Sequence, residues 1–131
     1  MRPPMQLGDA LDLEDFRTAA HTLLTRRTES VRHFQEQGAT TSRLRAEYEK
    51  VKSTRYIEIK HKGGEDKGVV SAAEAGERVK GDGAVQVALI ARDTSEELLR
   101  ARREDIAGCD EALSTFRRIA DWSMQLEARG V

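Results

Sequence analysis

Apolar residues recur every three or four positions through the first part of the chain, which is the spacing of one face of an α-helix. This face contains Leu13, Phe16, Ala20, Leu23, Leu24, Val31 and Phe34. We expect Gly38 to end or bend the helix, because glycine readily adopts the left-handed conformation found at many helix ends. Residues 40–42, Thr-Thr-Ser, are suited to cap a second helical segment.

The second segment keeps a helical spacing to its end. One side of it contains Leu44, Tyr48, Val51, Arg55 and Ile59. Residues 56–60 alternate between apolar and polar types and could form a short strand, but we favour a helix because the register continues through Ile59. Gly63 and Gly64 then interrupt the pattern, so the first helical arm is expected to cover residues 13–62.

A short helix comes next, followed by the clearest periodic pattern of the chain. Ser71 and Glu74 form a capping box, which predicts a helix over residues 72–80, and Gly-Asp-Gly at 81–83 turns the chain. Beyond the turn, apolar residues repeat every seven positions, as in a helix that packs along a seam. The predicted packing and oligomer seam contains Leu99, Ile106, Cys109, Leu113, Phe116 and Ala120.

Together these segments predict an all-α fold: a long antiparallel helical hairpin with arms of about 13–62 and 84–128 and a short helix at its tip. Residues 1–11 contain both prolines and are expected to form a flexible tail, with 12–131 as a single helical domain. Because two helices hide only part of each apolar stripe, we expect copies of the chain to associate through the seam.

Composition narrows the classes of function. The chain has 131 residues, of which 38% are hydrophobic and 34% charged, and its net charge is −1. A uniformly basic nucleic-acid-binding protein is therefore excluded, and any basic surface must be local. No apolar run approaches the roughly 20 residues that cross a bilayer, and the start lacks the apolar core of a signal peptide. With a single cysteine besides, we expect a cytoplasmic protein with no membrane partner.

The positive charge is concentrated in the middle of the chain. Residues 38–67 contain eight basic and five acidic residues, whereas 68–131 contain nine basic and twelve acidic. Cations beside an aromatic ring suit a phosphate backbone with unstacked bases, because the cations release counterions and the ring stacks. The predicted nucleic-acid-binding residues are Arg43, Lys50, Lys52, Arg55, Tyr56, Lys60 and Lys62. The alternative is a solvated face whose cations favour the negative end of the helix dipole.

Residues that could carry catalysis or bind a metal are scattered. His21, His33 and His61 are far apart and have no cysteine pair beside them, so we expect no metal site. Cys109 falls on the seam, where a buried thiol behaves as a small hydrophobic residue. No glycine-rich segment has the lysine and hydroxyl context of a phosphate loop. We expect neither an enzyme nor a bound cofactor.

Two segments, Leu13-Glu14-Asp15-Phe16 and Lys50…Arg55-Tyr56…Gly63, precede a short insert and a long last helix. This plan resembles small phage recombination accessory proteins of the UvsY type. The resemblance implies a ring-forming mediator that binds single-stranded DNA and helps to load a RecA-like recombinase. The DNA-binding positions that it implies are Lys50, Lys52, Arg55 and Tyr56. The chain departs from the pattern at Ile57, where a second aromatic or a polar residue is expected.

The leading hypothesis is a non-enzymatic, oligomeric helical protein that binds single-stranded DNA through residues 43–62 and assists recombinase loading in phage recombination. The first alternative is an adaptor, or a phage anti-defence inhibitor that occludes a host protein complex. In that case the acidic 68–131 segment mimics nucleic acid or occupies a basic groove. The second alternative is a coiled-coil structural subunit with neither property.

Overall fold

The computed structural model describes residues 13–62 and 70–130, and these residues form three helices. Helix α1 spans Leu13–Lys62, α2 spans Ala72–Lys80 and α3 spans Gly83–Ala128. The predicted all-α fold, in which two long helices pair antiparallel and a short helix lies between them in sequence, is confirmed, as is the helical conformation of residues 56–60. The predicted tail at 1–11 and the predicted interruption at 63–64 lie outside the described residues.

Helix α1 is continuous through Gly38, so the predictions that the helix ends there and that residues 40–42 cap a second helix are wrong. Glycine in a helix interior costs about 1 kcal/mol relative to alanine, which packing can outweigh. Thr41, predicted at a helix start, is instead fully buried, and a Cβ atom at Gly38 would lie 3.9 Å from Leu99 Cδ1. Packing against α3 therefore keeps α1 helical where the local sequence favours a stop.

The chain divides into two compact units, of which the first contains residues 1–34 and 102–131. In this terminal unit, the beginning of α1 packs antiparallel to the end of α3. The rings of Phe16 and Phe116 stack with their centroids 4.3 Å apart, and Arg27 forms an ion pair with Asp110. Cys109, 6% exposed, is the one buried residue among those described in this unit.

The second unit, residues 35–101, is termed the three-helix unit because it contains the end of α1, all of α2 and the beginning of α3. Helix α2 begins as predicted, with the Ser71 hydroxyl accepting a hydrogen bond from the Glu74 amide at 3.2 Å. It buries Ala75 and Val79 on one side. With Val70 and Val85, these side chains form the apolar core of the unit. A third helix thus gives this unit an interior.

A buried polar cluster joins α1 to α3 in the three-helix unit. The Thr41 and Ser95 hydroxyls lie 2.7 Å apart, and Gln37 donates a hydrogen bond to the Ser95 hydroxyl at 2.8 Å. Thr41 is 0% and Ser95 3% exposed. Because an unpaired buried hydroxyl is costly, sliding one helix past the other would be penalised. The cluster therefore fixes the register of the two helices, as a single buried polar residue does in a coiled coil.

Asp82 lies at the junction between α2 and α3, and its carboxylate accepts hydrogen bonds from both α1 and α3. Its Oδ1 caps α3 by accepting hydrogen bonds from the amides of Ala84 and Val85 at 3.1 and 3.2 Å. Its Oδ2 accepts two hydrogen bonds from the Arg55 guanidinium of α1, at 2.7 and 2.9 Å. The Asp82 side chain is 11% exposed. This one carboxylate therefore ties α1 to the first turn of α3.

Candidate nucleic-acid interface

The three-helix unit has a groove of about 800 Å³ to which all three helices contribute. We name it the tyrosine groove. Helix α1 contributes the side on which the sequence predicts nucleic-acid binding. Helices α2 and α3 contribute apolar residues. Its main lining side chains are Tyr48, Lys52, Tyr56 and Ile57 from α1, Val79 and Lys80 from α2, and Val85 and Leu89 from α3. The lining is mainly apolar, and its charged residues are Glu49, Lys52 and Lys80.

Helical periodicity explains why α1 presents these side chains together. Tyr48, Lys52, Tyr56 and Lys60 follow one another at four-residue steps, so they lie along one broad strip of the helix. The two tyrosines are half-buried and Ile57 is 57% exposed. On the opposite side of the groove, Val79 and Val85 are each only 3% exposed. The exposed part of the groove is therefore formed mainly by the tyrosine side of α1.

Each of two lysines stands beside one of the tyrosines. The Lys52 ammonium lies 5.7 Å from the Tyr48 ring centroid, and the Lys60 ammonium lies 5.9 Å from that of Tyr56. Within the described part of the chain, neither ammonium group has a carboxylate within ion-pair distance. Both positive charges are therefore available to an anionic ligand. By contrast, Lys80 is engaged with Glu77 at 3.1 Å.

The two rings differ in how firmly they are held. Tyr48 also contacts the Arg92 guanidinium, whose carbon lies 4.4 Å from the ring centroid. A hydrogen bond from Arg92 to Asp93 raises the pKa of this arginine and keeps it charged. Tyr48 is thus occupied by a cation–π contact from α3. Tyr56 has no such partner from another helix among the described residues, and its ring is the more available for stacking.

Arg55, predicted to bind nucleic acid, is engaged in structural ion pairs. It binds Asp82 through two nitrogens and also forms an ion pair with Glu58. The hydrogen bonds from Arg55 lower the pKa of Asp82, and Asp82 in turn raises the pKa of Arg55. This location does not favour a phosphate contact at Arg55. The sequence could not indicate this, because Asp82 is 27 residues away along the chain.

The remaining predicted cations do not lie on the same side of α1. Arg43 and Lys50 lie about 180° and 160° around the helix from Lys52, as follows from 100° per residue. Lys62 is the last residue of α1, but its side chain lies outside the described residues. Of the seven predicted residues, the structure therefore brings Lys52, Tyr56 and Lys60 together. It adds Tyr48 and the walls from α2 and α3, which α1 periodicity alone could not identify.

The predicted seam residues lie between exposed and buried, with one exception. Leu99, Ile106, Leu113, Phe116 and Ala120 are half-buried, and Cys109 is buried. Phe116 contacts Phe16 of the same chain. Other large apolar side chains of α3 are much more exposed: Val87 is 70%, Ile90 63%, Leu98 48%, Trp122 50% and Met124 67% exposed.

The described residues contain no group of three or more His, Cys, Asp or Glu side chains that could hold a metal ion. None of the helices described has a stretch long and apolar enough to cross a membrane. Comparison of the chain with protein-family models, curated proteins and solved structures finds no match.

Proposed function

We propose that the protein is a non-enzymatic binding protein that holds single-stranded nucleic acid in the tyrosine groove. The observation that carries the proposal is the placement of two lysines without carboxylate partners, each beside one of the two tyrosine rings that line the groove. Bases stack on aromatic rings, and both tyrosines line this groove. The lysines would bind the phosphates that flank a stacked base.

Energetics set the expected strength of such binding. One stacked base contributes about 1–3 kcal/mol. Two phosphate contacts on a single strand give a slope of log K against log salt of about −1.4. One stacked base and two phosphate contacts together give weak binding by one copy of the chain. Tight binding then requires several grooves on one strand, which makes self-association part of the proposed function.

A charge-reversal experiment tests the site. The double variant Lys52→Glu/Lys60→Glu should bind a fluorescently labelled oligo-dT at least about tenfold more weakly at low salt, measured by anisotropy. Arg17→Glu/Arg117→Glu is the matched control, because it makes the same change of charge in the terminal unit at two exposed positions. Equal affinity of the two double variants would contradict the proposed site.

The role of stacking has its own test. Tyr56→Ala should weaken oligo-dT binding by roughly 5- to 100-fold, because one stacking interaction is lost. Tyr56→Phe should retain the affinity, because the aromatic face is unchanged. If both variants bind as the unchanged protein does, bases do not stack at this position.

The biological step proposed for this binding is assistance to a RecA-like recombinase in phage recombination. Copies of the protein would hold the strand extended while the recombinase assembles. The proposal expects faster recombinase assembly on an oligonucleotide in the presence of the protein, and no acceleration by Lys52→Glu/Lys60→Glu. If the double variant still accelerated recombinase assembly, recombinase assistance would not depend on the tyrosine groove.

A second candidate function is an adaptor or an anti-defence inhibitor that binds a host protein complex. The observation that favours it is the exposure of Trp122 (50%) and Met124 (67%) near the end of α3. Aromatic side chains and methionine are enriched where proteins meet. This candidate predicts no retention on single-stranded DNA at low salt, and a specific complex with a host protein that Trp122→Ala abolishes.

A further inference from the structure

The three-helix unit has a second concave surface, which shares no lining residue with the tyrosine groove. It is a depression of about 450 Å³ between α1 and the beginning of α3. We name it the valine face. Leu44 and Val51 line it on α1, and Ala84, Val87, Ala88 and Ala91 line it on α3. Its lining is almost entirely apolar, with Glu47 as the one charged lining residue.

Large apolar side chains along this side of α3 remain open to solvent. Val87 is 70% exposed and Leu98, three turns further along the helix, is 48% exposed. Ala91 and Thr94 lie between them at three- and four-residue steps, so the four positions form one strip. Two large apolar side chains exposed on one strip, with only Ala91 and Thr94 between them, are typical of an interaction surface.

We propose that the valine face binds the valine face of a second copy of this chain, around a two-fold axis. The shape of the patch argues for this occupant. Val87 protrudes beside the depression that the small side chains of Ala84, Ala88 and Ala91 leave open. A patch that carries both the protrusion and the recess is self-complementary, which is the requirement for a two-fold interface.

The charges on the α1 edge of the valine face support the same occupant. Arg43 and Lys50 are positive and Glu47 is negative, and within the described part of the chain none of the three has an ion-pair partner. Glu47 and Lys50 line one shared depression on this edge. An edge with both signs suits an identical edge on a partner, where each charge meets its opposite. It does not suit a polyanion.

This surface is separate from the proposed nucleic-acid site and differs from the seam predicted for oligomerisation. Seam residues such as Phe116 pack against α1 of the same chain, whereas Val87 and Leu98 contact little of it. Because two tyrosine grooves would be joined in one assembly, the dimer would supply the multivalency that weak single sites need. Self-association and nucleic-acid binding can nevertheless be measured independently.

Light scattering over a concentration series tests the proposal. The unchanged protein should have twice the mass of one chain, and Val87→Glu should have the mass of one chain. Met124→Glu is the matched control, because Met124 is as exposed as Val87 but lies in the terminal unit, and it should keep the dimer mass. Circular dichroism would show that both variants remain helical. A monomeric unchanged protein, or a dimer that survives Val87→Glu, would overturn the proposal.

Cross-linking gives a second test that does not weaken the interface by a charge. The only native thiol, Cys109, is buried, so Val87→Cys places an accessible thiol on the valine face. A short bis-maleimide should link Val87→Cys into a covalent dimer and should leave Met124→Cys unlinked. A Val87→Cys thiol that reacts with a mono-functional maleimide but is not cross-linked would overturn the proposal.

Discussion

The terminal unit and the three-helix unit use the same two long helices but offer different surfaces. Two helices alone bury one side chain, Cys109, among the residues described in the terminal unit. Adding the nine residues of α2 gives the other unit an apolar core and a groove with two aromatic rings. Two packed helices alone form little concave surface. One short helix thus changes a packing surface into a groove.

The largest effect on this difference is expected at Asp82, which ties α1 to the first turn of α3. Asp82→Ala removes both the cap of α3 and the ion pair with Arg55, and should lower Tm by roughly 5–10 °C. Asp82→Asn should cost less, because asparagine also caps helices well. Thermal unfolding followed by circular dichroism measures both. Equal Tm values for all three proteins would show that the junction does not hold the unit together.

The charge of Asp82 also predicts a dependence on pH. Arg55 lowers the pKa of this carboxyl in the folded state, so the folded protein favours the charged form. The stabilisation is complete above the unfolded pKa of about 3.9 and is lost as pH falls through the folded pKa. The stability advantage over Asp82→Asn, measured by urea unfolding, should therefore shrink below about pH 4. An advantage that grows on acidification would contradict this sign.

A smaller effect is expected at the buried hydroxyls of the three-helix unit, which have no counterpart among the described residues of the terminal unit. Thr41→Val should cost about 1–2 kcal/mol, because the Ser95 hydroxyl loses a partner in a buried site. Adding Ser95→Ala should cost less than the sum of the single substitutions, because both members of the pair are then apolar. Urea unfolding of the double-mutant cycle measures this coupling. Strict additivity would mean that the two hydroxyls act independently.

The smallest expected effects are increases in the free energy of unfolding. They are measured with the same substitution in each of the two units. Gly38→Ala and Gly108→Ala should each raise stability by roughly 0.5–1 kcal/mol, because alanine favours a helix interior. A Cβ atom at Gly38 meets Leu99 at an ordinary 3.9 Å, and one at Gly108 has no neighbour within 4 Å among the described residues. Unfolding curves check both. A loss of stability at Gly38 would show that close packing, not helix propensity, determines the residue there.

Periodicity was sufficient to predict the helices, because each apolar stripe repeats at helical spacing over many turns. The expectation that the helix ends at Gly38 came from the conformational preference of glycine, and it was wrong because the neighbouring Thr41 is buried against Ser95 of α3. Periodicity found Tyr56, Lys52 and Lys60 because they share one side of one helix. It could not find the wall of Val79 and Val85, nor the engagement of Arg55 by Asp82, because both depend on how α2 and α3 pack against α1.

A titration of the isotopically labelled protein with oligo-dT, followed by NMR chemical shifts, tests the central claim most directly. The largest chemical-shift changes should fall on Tyr56, Lys60 and the residues around Val79, with little change at Trp122. Shifts confined to the terminal unit, or no shifts at low salt, would contradict nucleic-acid binding in the tyrosine groove.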